Sequence, residues 1–331
     1  MARIYFATNR NPINDPPTGF GEALGPFDGK ALRYGYAEID LDKKKIVALK
    51  VADERLFWKS EKQPPFFGSS ETLKQLHADM CKNSRPTFVS IHGFNYTFEE
   101  ALVRTAQTQA FHGIDSNWFV FTWPSDGKMD RYHSDRADAE KSGHAAGRAL
   151  EIATQFLAKL RKQDRCGESI HLVAHSMGAY ALRHAVQGLR SEHGDALPRL
   201  FDKIFLFAPD EDADAFEFAE KYKFLPRLGR RITLYHTNRD AALDVSVNTK
   251  GTPVRLGSDG PENTTQIADK VSVVDVSGIV DDGRDKTNHQ YYWRSPGVRA
   301  DVRAVIDDIA PHLIPGRVFL PDTLRFRLVP V

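Results

Sequence analysis

From about Arg85 onward, short apolar runs rich in β-forming residues alternate with longer stretches whose apolar residues recur every three or four positions. That alternation points to a mostly parallel sheet, because each parallel connection needs a helix to carry the chain back across the sheet. The runs fall at 86–91, 118–122, 169–174, 203–208, 231–236 and 271–276. Several are apolar at every position, as in Phe119-Val120-Phe121 and Ile204-Phe205-Leu206-Phe207, so both sheet faces should be covered.

The connecting helices carry their own signals. Thr97-Phe98-Glu99-Glu100 is a capping box that starts a helix running to about His112. Ala146, Ala149, Leu150, Ala153, Phe156, Leu157 and Leu160 form one apolar stripe on a helix that ends before Cys166. Residues 1–60 differ. Arg3–Arg10, Ala31–Asp40 and Lys45–Val51 read as strands joined by turns, expected as antiparallel edge strands of an N-terminal β extension over 1–70. Asn11–Phe27 and Glu61–Ser70 read as loops, and residues 311–331 as a strand-like tail behind a core of 85–310 within a single domain.

At 331 residues with a formal net charge of +1, the chain has no overall field to recruit nucleic acid or an anionic membrane. No apolar run approaches the roughly 20 residues of a membrane span, and the amino terminus lacks the pattern of a secretory signal. Two cysteines, Cys81 and Cys166, offer neither a disulfide framework nor paired metal-ligand spacing, which suits a reducing cytoplasm.

The chemistry concentrates at one turn. Ile170-His171-Leu172-Val173-Ala174 is a strand pattern and Met177 to Leu189 a helical one, so Ser176 falls between them. A serine on a sharp strand-to-helix turn is pushed out above the sheet, where a base can reach it and the helix amino terminus can stabilise negative charge. The positions two before and two after it must be small, and Ala174 and Gly178 meet that need. Ala174 departs from the glycine usual there. Met177 supplies one backbone N–H to an oxyanion.

Four segments in order carry a family resemblance: Phe88-Val89-Ser90-Ile91-His92-Gly93-Phe94-Asn95, Phe121-Thr122-Trp123-Pro124-Ser125, His171-Leu172-Val173-Ala174-His175-Ser176-Met177-Gly178 and Phe207-Ala208-Pro209-Asp210. Over about 85 to 310 the chain resembles the α/β-hydrolase superfamily, and more narrowly a bacterial family of α/β hydrolases known only as a domain of unknown function. The resemblance implies the α/β-hydrolase fold, an α/β architecture with antiparallel N-terminal strands. It also implies a catalytic order of Ser, acid, His. Five histidines follow Ser176: His184, His193, His236, His289 and His312. His289 stands where this fold delivers its base, and Asp240 where related hydrolases carry the acid, with Asp210 one strand earlier as the alternative. By the same resemblance Phe94 is the second oxyanion donor and Gly93 allows a close backbone approach. Asn95 and His175 are candidate substrate contacts.

Other constellations fail. His171 and His175 lie about 13 Å apart along an extended chain, too far to share a metal. Asp210-Glu211-Asp212-Ala213-Asp214 lacks the glycine and terminal glutamate of a calcium loop. Phosphate and dinucleotide fingerprints are absent, so neither cofactor nor metal is expected. Between Pro209 and Arg230 there is room for little beyond one helix, so no large cap domain is expected. The polar segments 124–144 and 241–270 should form the rim of a fairly open cleft. These readings imply an esterase acting on a small-molecule ester or other acyl substrate, with oligomeric state open. An amidase or peptidase with the same residues, or a hydrolase-like binding scaffold, stands beside it.

Overall fold

The computed structural model describes residues 1–53, 66–126, 128, 131–243, 254–280, 283 and 285–331. Among these, thirteen strands are named in chain order: β1 (Ala2–Thr8), β2 (Arg10–Ile13), β3 (Gly19–Leu24), β4 (Arg33–Asp40), β5 (Lys45–Val51), β6 (Thr87–Ile91), β7 (Asn117–Thr122), β8 (Ile170–His175), β9 (Phe201–Phe207), β10 (Gly229–His236), β11 (Val271–Asp275), β12 (Arg317–Leu320) and β13 (Arg325–Leu328). Eleven build one sheet in the order β12-β13-β11-β10-β9-β8-β6-β7-β1-β4-β5. Every pairing from β13 through β1 is parallel, and β12, β4 and β5 add the antiparallel ladders at the two ends.

Long helices cover both faces. On one lie α1 (Gly68–Asn83), α3 (Tyr132–Lys159) and α4 (Met177–His193), burying Leu76, Met80, Leu150, Leu182 and Leu189 against Ile91, Phe119 and Leu172. On the other lie α2 (Phe98–His112) and α5 (Pro296–Ile306), burying Leu102, Val103, Val302 and Val305 against Phe88, Val120 and Phe205. The α2 capping box forms as expected: the Thr97 backbone N–H donates to Glu100 at 2.9 Å, and the Glu100 N–H to Thr97 Oγ1 at 3.3 Å.

The chain leaves β6 in one direction to form β7 and then returns to pair β8 with the other side of β6. The crevice at the carboxyl ends of β6 and β8 is therefore the topological switch point, where open α/β sheets bind ligands. Ser176 directly follows β8, and His92-Gly93 directly follows β6.

Four expectations need correction. β1 is an interior strand, antiparallel to β4 but parallel to β7 in the register Ile4↔Trp118. Its residues from Ile4 to Thr8 are all buried, which marks a strand covered on both faces. Within 11–27, β2 and β3 pair as a hairpin, with Phe20 packed on Phe6 and Phe98. Residues 61–65 lie outside the described residues, and Gly68–Ser70 already belong to α1. Within 124–144, helix starts at Tyr132, so α3 is twice as long as its apolar stripe suggests. Near its middle it packs through small residues: a side chain at Gly143 or Gly147 would strike the Ala181 or Ala185 carbonyl of α4 at 2.9 Å. The tail finds a place as β12 and β13, the latter parallel to β11. Between Pro209 and Leu228 the helix content is the single turn Leu225–Leu228. No helix among the described residues is long and apolar enough to cross a membrane.

Candidate active site

Ser176 sits at φ 54° and ψ −128°, a conformation that strains any residue with a Cβ. Its backbone is held there from three sides. The Ser176 N–H donates to the Phe207 carbonyl at 3.0 Å, and its own carbonyl accepts from Ala179 at 2.9 Å and Asp210 at 3.1 Å. Met177 is the first residue of α4, so its N–H has no acceptor inside the helix and lies at the positive end of the dipole.

Two glycines let the segments meet. A Cβ on Gly93 would lie 2.9 Å from Ser176 Cβ and 3.0 Å from His175 Nδ1. One on Gly178 would collide with the Ile91 carbonyl oxygen and stand 2.5 Å from that of His92. Backbone atoms at a strand end cannot rotate away as a side chain can. Gly178→Ala is therefore expected to cost about 3 kcal/mol, the upper part of the overpacking range. Urea denaturation of the variant measures it, and a loss under about 0.5 kcal/mol would contradict this close approach.

The loop after β6 is fixed by neighbours that its sequence does not announce. His92 Nε2 accepts the Trp123 backbone N–H at 3.2 Å, so the proton sits on Nδ1, which donates to the Gly93 carbonyl at 2.7 Å. Burial pushes His92 down to about 3, so it stays neutral. Ser125 Oγ accepts the Asn95 N–H at 2.8 Å and the Tyr96 N–H at 3.3 Å, and donates its own proton to Asp135. Arg10, 1% exposed, donates to the Tyr96 carbonyl at 2.7 Å, to Gly21 at 3.1 Å and to Thr122 Oγ1 at 3.0 Å. Burial lowers the Arg10 guanidinium to about 9, still charged at neutral pH. It joins the β2–β3 hairpin, β7 and the loop bearing Phe94. That loop is further packed by Phe94 against Tyr132, edge to face at 5.7 Å.

His289 and Asp240 meet, with Nδ1 2.7 Å from Oδ2. Asp240 Oδ1 accepts the backbone N–H groups of Ala242 and Leu243, each at 3.0 Å, so both carboxylate oxygens are committed. The two loops are laced together by Ala241 N–H to the Thr287 carbonyl at 3.0 Å. Burial alone would lower the His289 pKa. The Asp240 charge and hydrogen bond outweigh it, with help from Asp210 and Asp285, and the net shift is upward.

His175, 3% exposed, donates from Nε2 to the His289 carbonyl at 3.0 Å and packs on the His289 and Tyr292 rings at 4.6 and 4.3 Å. Since it neighbours Ser176 in sequence, it ties the loop of His289 to the β8–α4 turn. Asp210 is bound elsewhere. It accepts from Tyr132 at 2.5 Å and from Arg255 Nε at 3.1 Å, with Arg136 at 3.9 Å. Of the other histidines, His236 meets the Ser258 carbonyl at 3.2 Å, and His193 meets Glu151 at 2.5 Å. Ser176 and His289 are each 7% exposed. Of the segment 241–270 expected at the rim, residues 244–253 lie outside the described residues.

A large, mostly parallel sheet flanked by helices, with a serine held at the β8–α4 turn, defines the α/β-hydrolase class. The chain belongs to the family described as alpha/beta hydrolase of unknown function (DUF900), whose family model matches residues 69–307. It is 24% identical over 306 residues to the uncharacterized protein alr1448 of Nostoc sp. (strain PCC 7120 / SAG 25.82 / UTEX 2576), covering 73% of each chain. Among solved structures it is similar to Est1E from Butyrivibrio proteoclasticus, with 12% identity and a TM-score of 0.37 over 68% of this chain and 88% of that one. Aspergillus fumigatus lipase B follows at 11% identity and a TM-score of 0.27, over 47% and 38% of the two chains.

Proposed function

We propose that this chain is a serine hydrolase that cleaves carboxylic esters of small molecules through an acyl-enzyme on Ser176. The observation that carries the reading is the 2.7 Å contact between His289 Nδ1 and Asp240. With Nδ1 protonated and bound to Asp240, Nε2 is the free base. It takes the Ser176 proton as Oγ attacks the ester carbonyl, and the oxyanion is met by the N–H groups of Met177 and Phe94. His289 then gives that proton to the departing alkoxide. Water, activated by the same nitrogen, attacks the acyl-enzyme and restores Ser176.

Fluorophosphonate labelling tests the assignment, followed by turnover of matched ester and anilide substrates. Folded wild-type protein that stays unlabelled would reject the enzyme, and faster anilide than ester turnover would make it an amidase.

The raised pKa of His289 has two opposite consequences. The base must be neutral, so kcat/KM should fall as pH drops through a midpoint above the ordinary 6.5. The ion pair with Asp240 stabilises the fold fully below the unfolded histidine pKa, and this contribution is lost as pH rises through the folded one. Activity should thus climb over the same pH range in which this share of stability declines. A pH–rate profile recorded alongside urea melts would show both slopes, and a midpoint below 6.5 would contradict the pairing.

A further inference from the structure

We propose that His77, Cys81 and Cys166 form a binding site for a thiophilic divalent ion, zinc foremost, at the end of the sheet opposite Ser176. The two cysteines are far apart in sequence, Cys166 lying 85 positions after Cys81. The fold removes that separation. His77 and Cys81 occupy successive turns of α1 on one face, and Cys166 arrives on the segment between α3 and β8. One ligand atom from each lies within 4.8 Å of the other two.

The spacing suits tetrahedral coordination. Bonds of about 2.3 Å to sulfur and about 2.0–2.1 Å to nitrogen set an N···S edge of about 3.6 Å and an S···S edge of about 3.8 Å. His77 Nε2 already stands 3.5 Å from Cys81 Sγ. Bringing Cys166 to its place requires a shift of about 1.2 Å at most, within reach of side-chain rotation. Cys81 is exposed, and His77 and Cys166 are half-buried, so an ion can enter from solvent and water can complete the shell.

The position argues for a staple rather than a reaction centre. Cys81 precedes β6 and Cys166 precedes β8, whereas Ser176 follows the carboxyl end of β8, about 20 Å further along a six-residue strand. A bound ion would fasten the last turn of α1 to the connection entering the central strand.

The test uses reduced full-length protein titrated with Co2+, read by the thiolate-to-cobalt charge-transfer absorption, and then with Zn2+ as competitor. One equivalent of Co2+ should produce the band and one of Zn2+ should abolish it. Cys81→Ser and Cys166→Ser should each weaken Zn2+ binding by at least about 100-fold, more than the loss of most outer-sphere contacts costs. His77→Ala should weaken it in the same direction, and Ser176→Ala should bind as the wild type does. Circular dichroism of the metal-free variants reports whether they fold, and zinc should raise the urea midpoint of the wild type and of Ser176→Ala but far less that of the cysteine variants. Absence of the band in reduced wild type would overturn the site, as would a band that survives both cysteine substitutions. Formation of a Cys81–Cys166 disulfide by a protein whose reduced form takes up no metal would likewise overturn it.

Discussion

Ser176→Ala should lower ester turnover by at least about 10⁴-fold, since removing a catalytic serine leaves only oxyanion stabilisation and substrate binding. Fluorophosphonate labelling should vanish with it. Stability should barely change. Alanine has the same Cβ as serine and meets the same strain at φ 54°, and the backbone bonds to Phe207, Ala179 and Asp210 remain. Steady-state kinetics paired with urea denaturation separates the two effects. Turnover retained within tenfold would remove Ser176 from the reaction.

Asp240→Asn and Asp210→Asn should fail in different ways. Asp240 receives three donors, His289 Nδ1–H and the N–H groups of Ala242 and Leu243. An asparagine amide has one oxygen, so either rotamer sets its NH2 against a donor or drives His289 to the wrong tautomer. A loss of about 10⁴-fold in kcat is expected, with much of the stability kept. Asp210 instead balances the fully buried Arg255 and the nearby Arg136. In Asp210→Asn, Arg255 would keep Asp212 as its carboxylate partner, and breaking the buried Asp210 pair should destabilise the fold by about 3 kcal/mol, the lower end for such a loss. Because Asp210 also helps raise His289, its loss should move the pH–rate midpoint downward. Turnover lost in Asp210→Asn but kept in Asp240→Asn would exchange the two roles.

The parallel core was legible because each of its strands is a short run of β-forming residues, and fully buried strands cannot hide that pattern. The α2 start was legible because its cap is local, a matter of Thr97 and Glu100 alone. The turn at Ser176 could be read because strand, small residue and helix follow one another directly. What escaped notice was set by tertiary contact. The part of α3 from Ala139 to Gly147 buries Ala139, Ser142, Gly143 and Gly147, a stripe of small residues that carries little hydropathy signal. β1 looked like an edge strand because nothing in its seven residues names β7 as a neighbour. Arg10, Ser125 and Asp135 hold the loop after His92, yet each sits far from it in sequence, and even the Phe121–Ser125 segment that carries the resemblance does not name the loop as its partner. The pairing of His289 with Asp240 came from resemblance in order along the chain, and the 2.7 Å contact supplies the geometry beneath it.

The buried guanidinium of Arg10 also bears on how much of the chain a working fragment must contain. The family match begins at residue 69, yet Arg10 lies outside it and grips the carbonyl of Tyr96, two residues from Phe94. A fragment cut to the recognisable region would keep Ser176, Asp240 and His289 and lose both β1 and the cation that shapes the loop after β6. During synthesis the same dependence runs in time. β1 emerges before β7, which lies more than a hundred positions later, and must wait for it before the strand has its parallel partner.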